Sequence, residues 1–229
     1  MNNFWHLETE DFFDGLQQEK TAFLELASRH VLKKQDTIFL EGEAGITCCY
    51  IESGLVRIFS AAQTGKETTL FLRRQGEIFG LAELMNNTSR MVSAQALTTS
   101  VIYIIERSQF ELLLQKHFSL ARRVISTLGK RLRYMGKRFS SQNGDVRHRL
   151  AFLLVTLAYD ALHKSTDWEQ PCSLPYPISQ HQLADMVGST QPTVSTTLQE
   201  FKNEGLISMT GHRITLTCPV QFIYLLNEK

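Results

Sequence analysis

The spacing of apolar residues changes twice along this chain of 229 residues, and each change marks a new kind of element. Residues 17–30 (QQEKTAFLELASRH) have helical spacing, with Ala22, Leu26 and the neighbouring Phe23 and Ala27 on one stripe. From Val31 to Ile105 the pattern breaks into short β-prone runs: TIFLEG, CCYIESGLVRIFS, TTLFLRR, MVSAQAL and SVIYIIE. Gly42, Gly45, Gly54, Gly65, Gly76 and Gly80 punctuate them. Short strands separated by turn residues predict an antiparallel barrel or sandwich, with Thr64-Gly65-Lys66 as a hairpin tip.

Helical spacing returns at Arg107. Ser108 followed by Glu111 predicts a capping box. After a break near His117 and Phe118, a long helix is predicted to about Ser140. Its apolar positions are Ala121, Ile125, Leu128, Leu132, Met135 and Phe139, at steps of 4, 3, 4, 3 and 4. That is a heptad seam. A single apolar stripe can pack on its own domain, but the sustained 4-3 spacing favours a dimer. Gly129 and Gly136 are unusual inside a helix and would allow close approach of a second helix or a ligand. SSQNG (140–144) predicts a hinge.

The rest predicts a second domain. RHRLAFLLVTLAYDAL is an apolar helix, and a loop with Pro171, Pro175 and Pro177 follows. RITLTC and FIYLL close the chain. The expected division is an N-terminal β-rich domain over 1–117, a long helix with a dimer seam over 118–141 and a second domain over 142–229.

The most informative stretch is ISQHQLADMVGSTQPTVSTTLQEFKNEGLI (178–207). Ser179 can cap a helix carrying Leu183, Ala184, Met186 and Val187. Gly188 then supplies a turn residue free to adopt positive φ. Thr190 can cap a second helix, and Pro192 suits its first turn. Val194, Leu198 and Phe201 give that helix a buried stripe. Two short helices around such a turn make a helix-turn-helix, and LISMTGHRITL adds strand, turn, strand: a wing.

The second helix is expected to present Gln191, Thr193, Ser195, Thr196 and Thr197. Glutamine can bond bidentately to adenine, and threonine can meet the thymine methyl. The expected DNA contacts are Ser179, His181, Ser189, Thr190, Gln191, Thr193, Ser195, Thr196, Lys202 and His212, with Arg213 a further backbone candidate. The helix carries no arginine, so a shallow salt dependence is expected.

Charge and chemistry narrow the classes. From Arg107 to Leu150 there are eleven Lys/Arg against two acids, and from Ala151 onward four against seven. There is no G-x-S-x-G, P-loop or H-E-x-x-H, so an enzyme is not expected. No charged n-region with an apolar h-region opens the chain and no membrane-length apolar run occurs, so a soluble cytoplasmic protein is expected. None of the four cysteines forms a C-x-x-C pair, so no metal site is expected. Adjacent Cys48 and Cys49 should point to opposite faces of a strand, one in the core and one half-exposed. A redox role for either stays open.

Taken together, TIFLEGE (37–43), YIESGLVRIF (50–59), GEIFGLAEL (76–84) and LADMVGSTQPTVSTTLQEFKNEGLI (183–207) resemble the CRP/FNR family of bacterial transcription regulators over nearly the whole chain. The resemblance implies an α+β fold: an N-terminal antiparallel β-roll of the double-stranded β-helix or jelly-roll type, a long dimerisation helix and a C-terminal winged helix-turn-helix. It implies a homodimer on a palindromic double-stranded DNA site, switched by a small-molecule effector, redox or gas signal in the roll, with RNA polymerase a partner were it an activator. The dimer interface would use Ala121, Ile125, Leu128, Leu132, Met135 and Phe139. The alternative is a ligand-binding regulatory module without sequence-specific DNA binding.

The family's cyclic-nucleotide pattern is only partly present. Gly80 matches, but Leu81 stands where a ribose-binding acid should be. Arg90 matches the phosphate-binding arginine, but Met91 replaces the serine beside it. Met135 and Gly136 fall where hydroxyls would contact a purine, and Glu83 is displaced and could be structural. The effector-binding candidates are Gly80, Leu81, Arg90, Met91, Leu128, Arg131, Leu132 and Met135. Cyclic AMP is not expected. An iron–sulfur cluster is not expected either, because residues 1–47 contain no cysteine. Haem would have to use Cys48, Cys49, His30 or His117. A small anion on Arg90, Arg131 or Arg133 remains open.

Overall fold

A computed structural model describes residues 11–61, 67–141, 145–163, 168–211 and 213–227. The chain divides into two compact units, Thr9–Gly129 and a second that includes Lys130–Lys229. The division between the two units falls inside the long helix. The hairpin tip at 64–66 and residues 142–144 of the expected hinge lie outside the described residues.

The first unit opens with α1 (Gln17–Leu26). Its stripe is narrower than expected: Phe23 is fully buried, but Leu26 is exposed. The helix stops there because the chain turns extended into β1 (Ser28–Leu32), which pairs with a later strand. Then follow β2 (Thr37–Phe39), β3 (Thr47–Ser53), β4 (Leu55–Ala61), β5 (Glu67–Arg74), β6 (Ile78–Phe79), the short helix α2 (Leu81–Asn86), β7 (Ser93–Ala96) and β8 (Ser100–Glu106). They form two antiparallel four-stranded sheets, ordered β1-β8-β3-β6 and β2-β7-β4-β5.

β3 and β4 are adjacent in sequence yet lie in different sheets. Gly54 is the corner between them, with φ of 102°, and a Cβ there would lie 2.6 Å from the Ser100 Cα. Only glycine meets both conditions.

One core lies between the sheets, with Phe39, Cys49, Ile51, Val56, Ile58, Phe79, Ala94 and Ile102. A second lies between the β3 sheet and the helices, with Phe13, Phe23, Cys48, Tyr50, Leu81, Phe110, Leu120 and Val124 among its members. β3 therefore alternates between two cores rather than between core and water. This corrects the expectation that one of the two cysteines is half-exposed: Cys48 and Cys49 are both buried, on opposite faces.

α3 (Arg107–Lys116) and α4 (Phe118–Ser141) follow. The Ser108 capping box does not form. Glu106 is the N-cap and makes no side-chain cap bond, because strand β8 runs into the helix directly. On α4, Leu120 and Val124 pack into the helix-side core, with Leu128 against it. Arg123 fastens the helix by donating to the carbonyls of Asp11, Phe12 and Asp14.

In the second unit, α5 (Val146–His163) is capped by Asp145, whose carboxylate accepts from the His148 N–H at 2.7 Å. α5 is buried along much of its length, which explains its nearly continuous apolar sequence. Around it stand β9 (Cys172–Ser173), α6 (Gln180–Val187), α7 (Gln191–Asn203), β10 (Ile207–Thr210), β11 (Arg213–Leu216) and α8 (Pro219–Asn227). The strands form one antiparallel sheet in the order β10-β11-β9.

Candidate nucleic-acid interface and the roll interior

The geometry of α6 and α7 follows from local chemistry. The Ser179 hydroxyl accepts from the Gln182 N–H, and the Gln182 side chain returns the bond to the Ser179 N–H. This capping box satisfies two otherwise orphan donors. Gly188 ends α6 in the left-handed region at φ 63°. Two residues later Thr190 caps α7, accepting from the Thr193 N–H, with Pro192 in the first turn. Ala184 on α6 is buried.

α7 buries Val194, Leu198 and Phe201, as its spacing predicted, and Thr197 as well. Thr197 is therefore removed from the expected reading face: its hydroxyl bonds back to the Thr193 carbonyl at 3.0 Å. Thr196 makes the same kind of bond to the Pro192 carbonyl but stays exposed.

Gln191, Thr193 and Thr196 are exposed and Ser195 is half-buried. The Gln191 side-chain amide donates to the Gln180 side-chain carbonyl at 3.4 Å, which places Gln180 beside it. The outward ladder continues through Gln199 and Asn203, joined side chain to side chain at 2.8 Å. Neither these two nor Gln180 were singled out in the sequence, although two amides four residues apart on the polar face were a readable signal.

The other expected contacts are spread around this face. Ser179 and Ser189 are half-buried, and the Ser179 hydroxyl is committed as a cap. Thr190 and Lys202 are exposed. His181 is exposed, with Nδ1 3.2 Å from an Asp185 carboxylate oxygen. In the wing, Gly211 turns β10 into β11 at φ 60°, and Arg213 is exposed. His212 lies outside the described residues.

Two acids of this unit, Glu200 and Glu204, share one arginine. Arg147 binds Glu204 at 2.5 Å and Glu200 at 3.8 Å, and its guanidinium lies over the Phe201 ring at 4.7 Å. The Glu204 bond is the largest influence raising the Arg147 pKa above its ordinary value. Arg149 donates to the Val187 carbonyl at the end of α6. Part of the basic run thus neutralises acids and caps carbonyls around the two-helix motif.

On α4, Ile125 and Leu132 are 69% and 74% exposed in the single chain, and Met135 is exposed too. Ala121 and Leu128 are half-buried, Leu128 against its own core. The Phe139 side chain lies outside the described residues. A Cβ on Gly129 or Gly136 would meet no atom within 4 Å.

In the roll, Leu81 is packed into the core while Met91 is 76% exposed. Arg90 is buried, with its guanidinium against Gly80, Thr47 and Glu83. The residues present therefore do not fit a cyclic nucleotide: Leu81 offers no polar atom and Arg90 already faces a carboxylate. Nor do they fit haem through the cysteine pair. Burial pushes both thiols up, Cys49 to about 12, and each side chain fills a core.

Among the described residues no helix is long and apolar enough to cross a membrane, and no cluster of His, Cys, Asp or Glu could hold a metal ion.

Comparison with known proteins agrees with this architecture. Residues 29–117 match a cyclic nucleotide-binding domain and residues 148–220 a Crp-like helix-turn-helix domain. A cyclic AMP receptor protein of Thermus thermophilus is 27% identical over 199 residues, covering 86% of this chain and 88% of that protein. The transcriptional regulator LdrP of the same species is 28% identical over 184 residues, covering 80% and 89%. The structure of FixK2 from Bradyrhizobium japonicum superposes with a TM-score of 0.74 at 20% identity, covering 87% of this chain and 96% of that one. The chain is a DNA-binding transcription regulator, not an enzyme, and it belongs to the CRP/FNR family.

Proposed function

We propose that this regulator binds a palindromic operator as a homodimer and answers to a signal sensed in the β-roll, which would reset the spacing of the two helix-turn-helix units. The observation that carries the DNA reading is the outward face of α7, an amide and hydroxyl surface held by two capped helix starts. Such a surface suits base edges, whereas a merely solvated face would carry mostly Glu and Lys.

The dimer reading rests on Ile125, Leu132 and Met135, an apolar row left in water by the single chain. The signal would be a small molecule or a redox or gas stimulus. A ligand that favours the correctly spaced state tightens DNA binding, and by linkage DNA tightens the ligand.

Base-substituted operator variants test the recognition helix. Gln191→Ala should lose preference at one base pair of each half-site, and Lys202→Ala should weaken all sequences alike. Preference retained in Gln191→Ala would place the reading face elsewhere.

A further inference from the structure

Arg90 is the only Lys or Arg buried among the described residues. Its backbone is pinned on both sides. Gly42 donates to the Arg90 carbonyl at 2.9 Å, and the Arg90 N–H donates to the Glu43 carbonyl at 2.8 Å. Its side chain, 1% exposed, runs into the roll.

There Nη1 donates to the Gly80 carbonyl at 3.0 Å and lies 3.4 Å from the Glu83 carboxylate. Nη2 donates to the Thr47 carbonyl and hydroxyl. The guanidinium lies over the Phe39 ring at 4.1 Å. A Cβ on Gly80 would come within 2.9 Å of Nη1, so the cradle is shaped for this pair. The Nε atom is buried without a partner among the described residues.

A guanidinium this deep needs a counter-charge, and Glu83, with 12% of its side chain exposed, supplies it. An incoming phosphate would have to displace that carboxylate or sit beside it. Two anions sharing one buried cation repel each other, and each loses hydration.

We propose that Glu83 is an internal counter-anion for Arg90, so that the native roll takes no phosphate-bearing nucleotide and opens to one only when this carboxylate is removed. The inference narrows the sensor reading of the roll: its signal acts without a phosphate on Arg90. Glu83 and Arg90 lie seven positions apart across α2, so the pair also ties that helix to the segment entering β7.

The test is calorimetry and thermal melting of the full chain with cyclic AMP, cyclic GMP and inorganic phosphate. Wild type should show neither binding heat nor a melting shift. E83Q should bind at least one of these anions about tenfold or more tighter than wild type, because the buried guanidinium is then left without a counter-charge for an incoming anion to compete with. E83Q/R90M should lose that binding again.

Nucleotide binding by wild type overturns the proposal, as does a folded E83Q that binds none of the three. If E83Q does not fold, E83Q/R90M should restore folding, since no lone buried charge remains. Failure of that rescue also overturns it. Operator binding, measured separately, reports on the regulator reading and not on the Arg90 pair.

Discussion

Leu132→Ala separates dimerisation from folding. Fully burying a leucine side chain is worth about 1.5–3 kcal/mol. Leu132 is 74% exposed in the single chain, so most of that gain is still to be made. An isologous interface contains each residue twice. Truncation to Ala retains one methyl, so the dimer should weaken by about 2–3 kcal/mol, or about 30- to 150-fold in dissociation constant.

Folding of the monomer should change by less than about 0.5 kcal/mol, because the side chain touches little of its own chain. Leu120→Ala on the same helix is the control. That residue is fully buried, so the change should cost about 2–5 kcal/mol of folding stability. Sedimentation equilibrium gives the dimer constant and urea unfolding the stability. An unchanged dimer constant in Leu132→Ala, with unchanged folding, would refute the seam.

Other consequences concern the roll and the turn of the helix-turn-helix. Cys48 and Cys49 should resist a thiol reagent in native protein and react at once in denaturant. Their folded pKa values are raised above the ordinary 9.0, so the unfolded state ionises first. Stability should therefore hold below about pH 9 and fall from there toward 12, and a flat melting temperature across that window would contradict it. Gly188→Ala should cost about 1–2 kcal/mol for its positive φ alone, since a Cβ there meets nothing. Gly54→Ala should cost more, because φ and the approach of Ser100 both oppose it. Equal losses in urea unfolding would count against the corner.

How much was legible in the sequence varied with how local the cause is. The ends of α6 and α7 were readable because Ser179, Gly188, Thr190 and Pro192 act within a few residues of themselves. The β texture is readable from alternation and glycines, but the helical spacing over 17–30 runs on into the first residues of β1. Four of its five residues are exposed, so it shows no period of two, and it is a strand through pairing with β8.

The two buried cysteines needed knowledge that β3 is covered on both faces. Thr197 looked like its polar neighbours, and only the wheel of α7 turns it inward. The pairing of Arg90 with Glu83 depends on the left-handed Gly80 and the ladder at 42–45, neither of which leaves a pattern in the residues. The charge count of the second unit does not reveal that Arg147, far from them in sequence, holds Glu200 and Glu204.

Residues 179–217 are proposed to read DNA as a symmetric pair, and selection of binding sites from random double-stranded DNA by the full chain tests that pairing. An enriched palindrome is expected, with half-sites one helical turn, about 34 Å, apart, and with loss of one preferred base pair per half-site in Gln191→Ala. Enrichment of no sequence, or of a motif without two-fold symmetry, would contradict it.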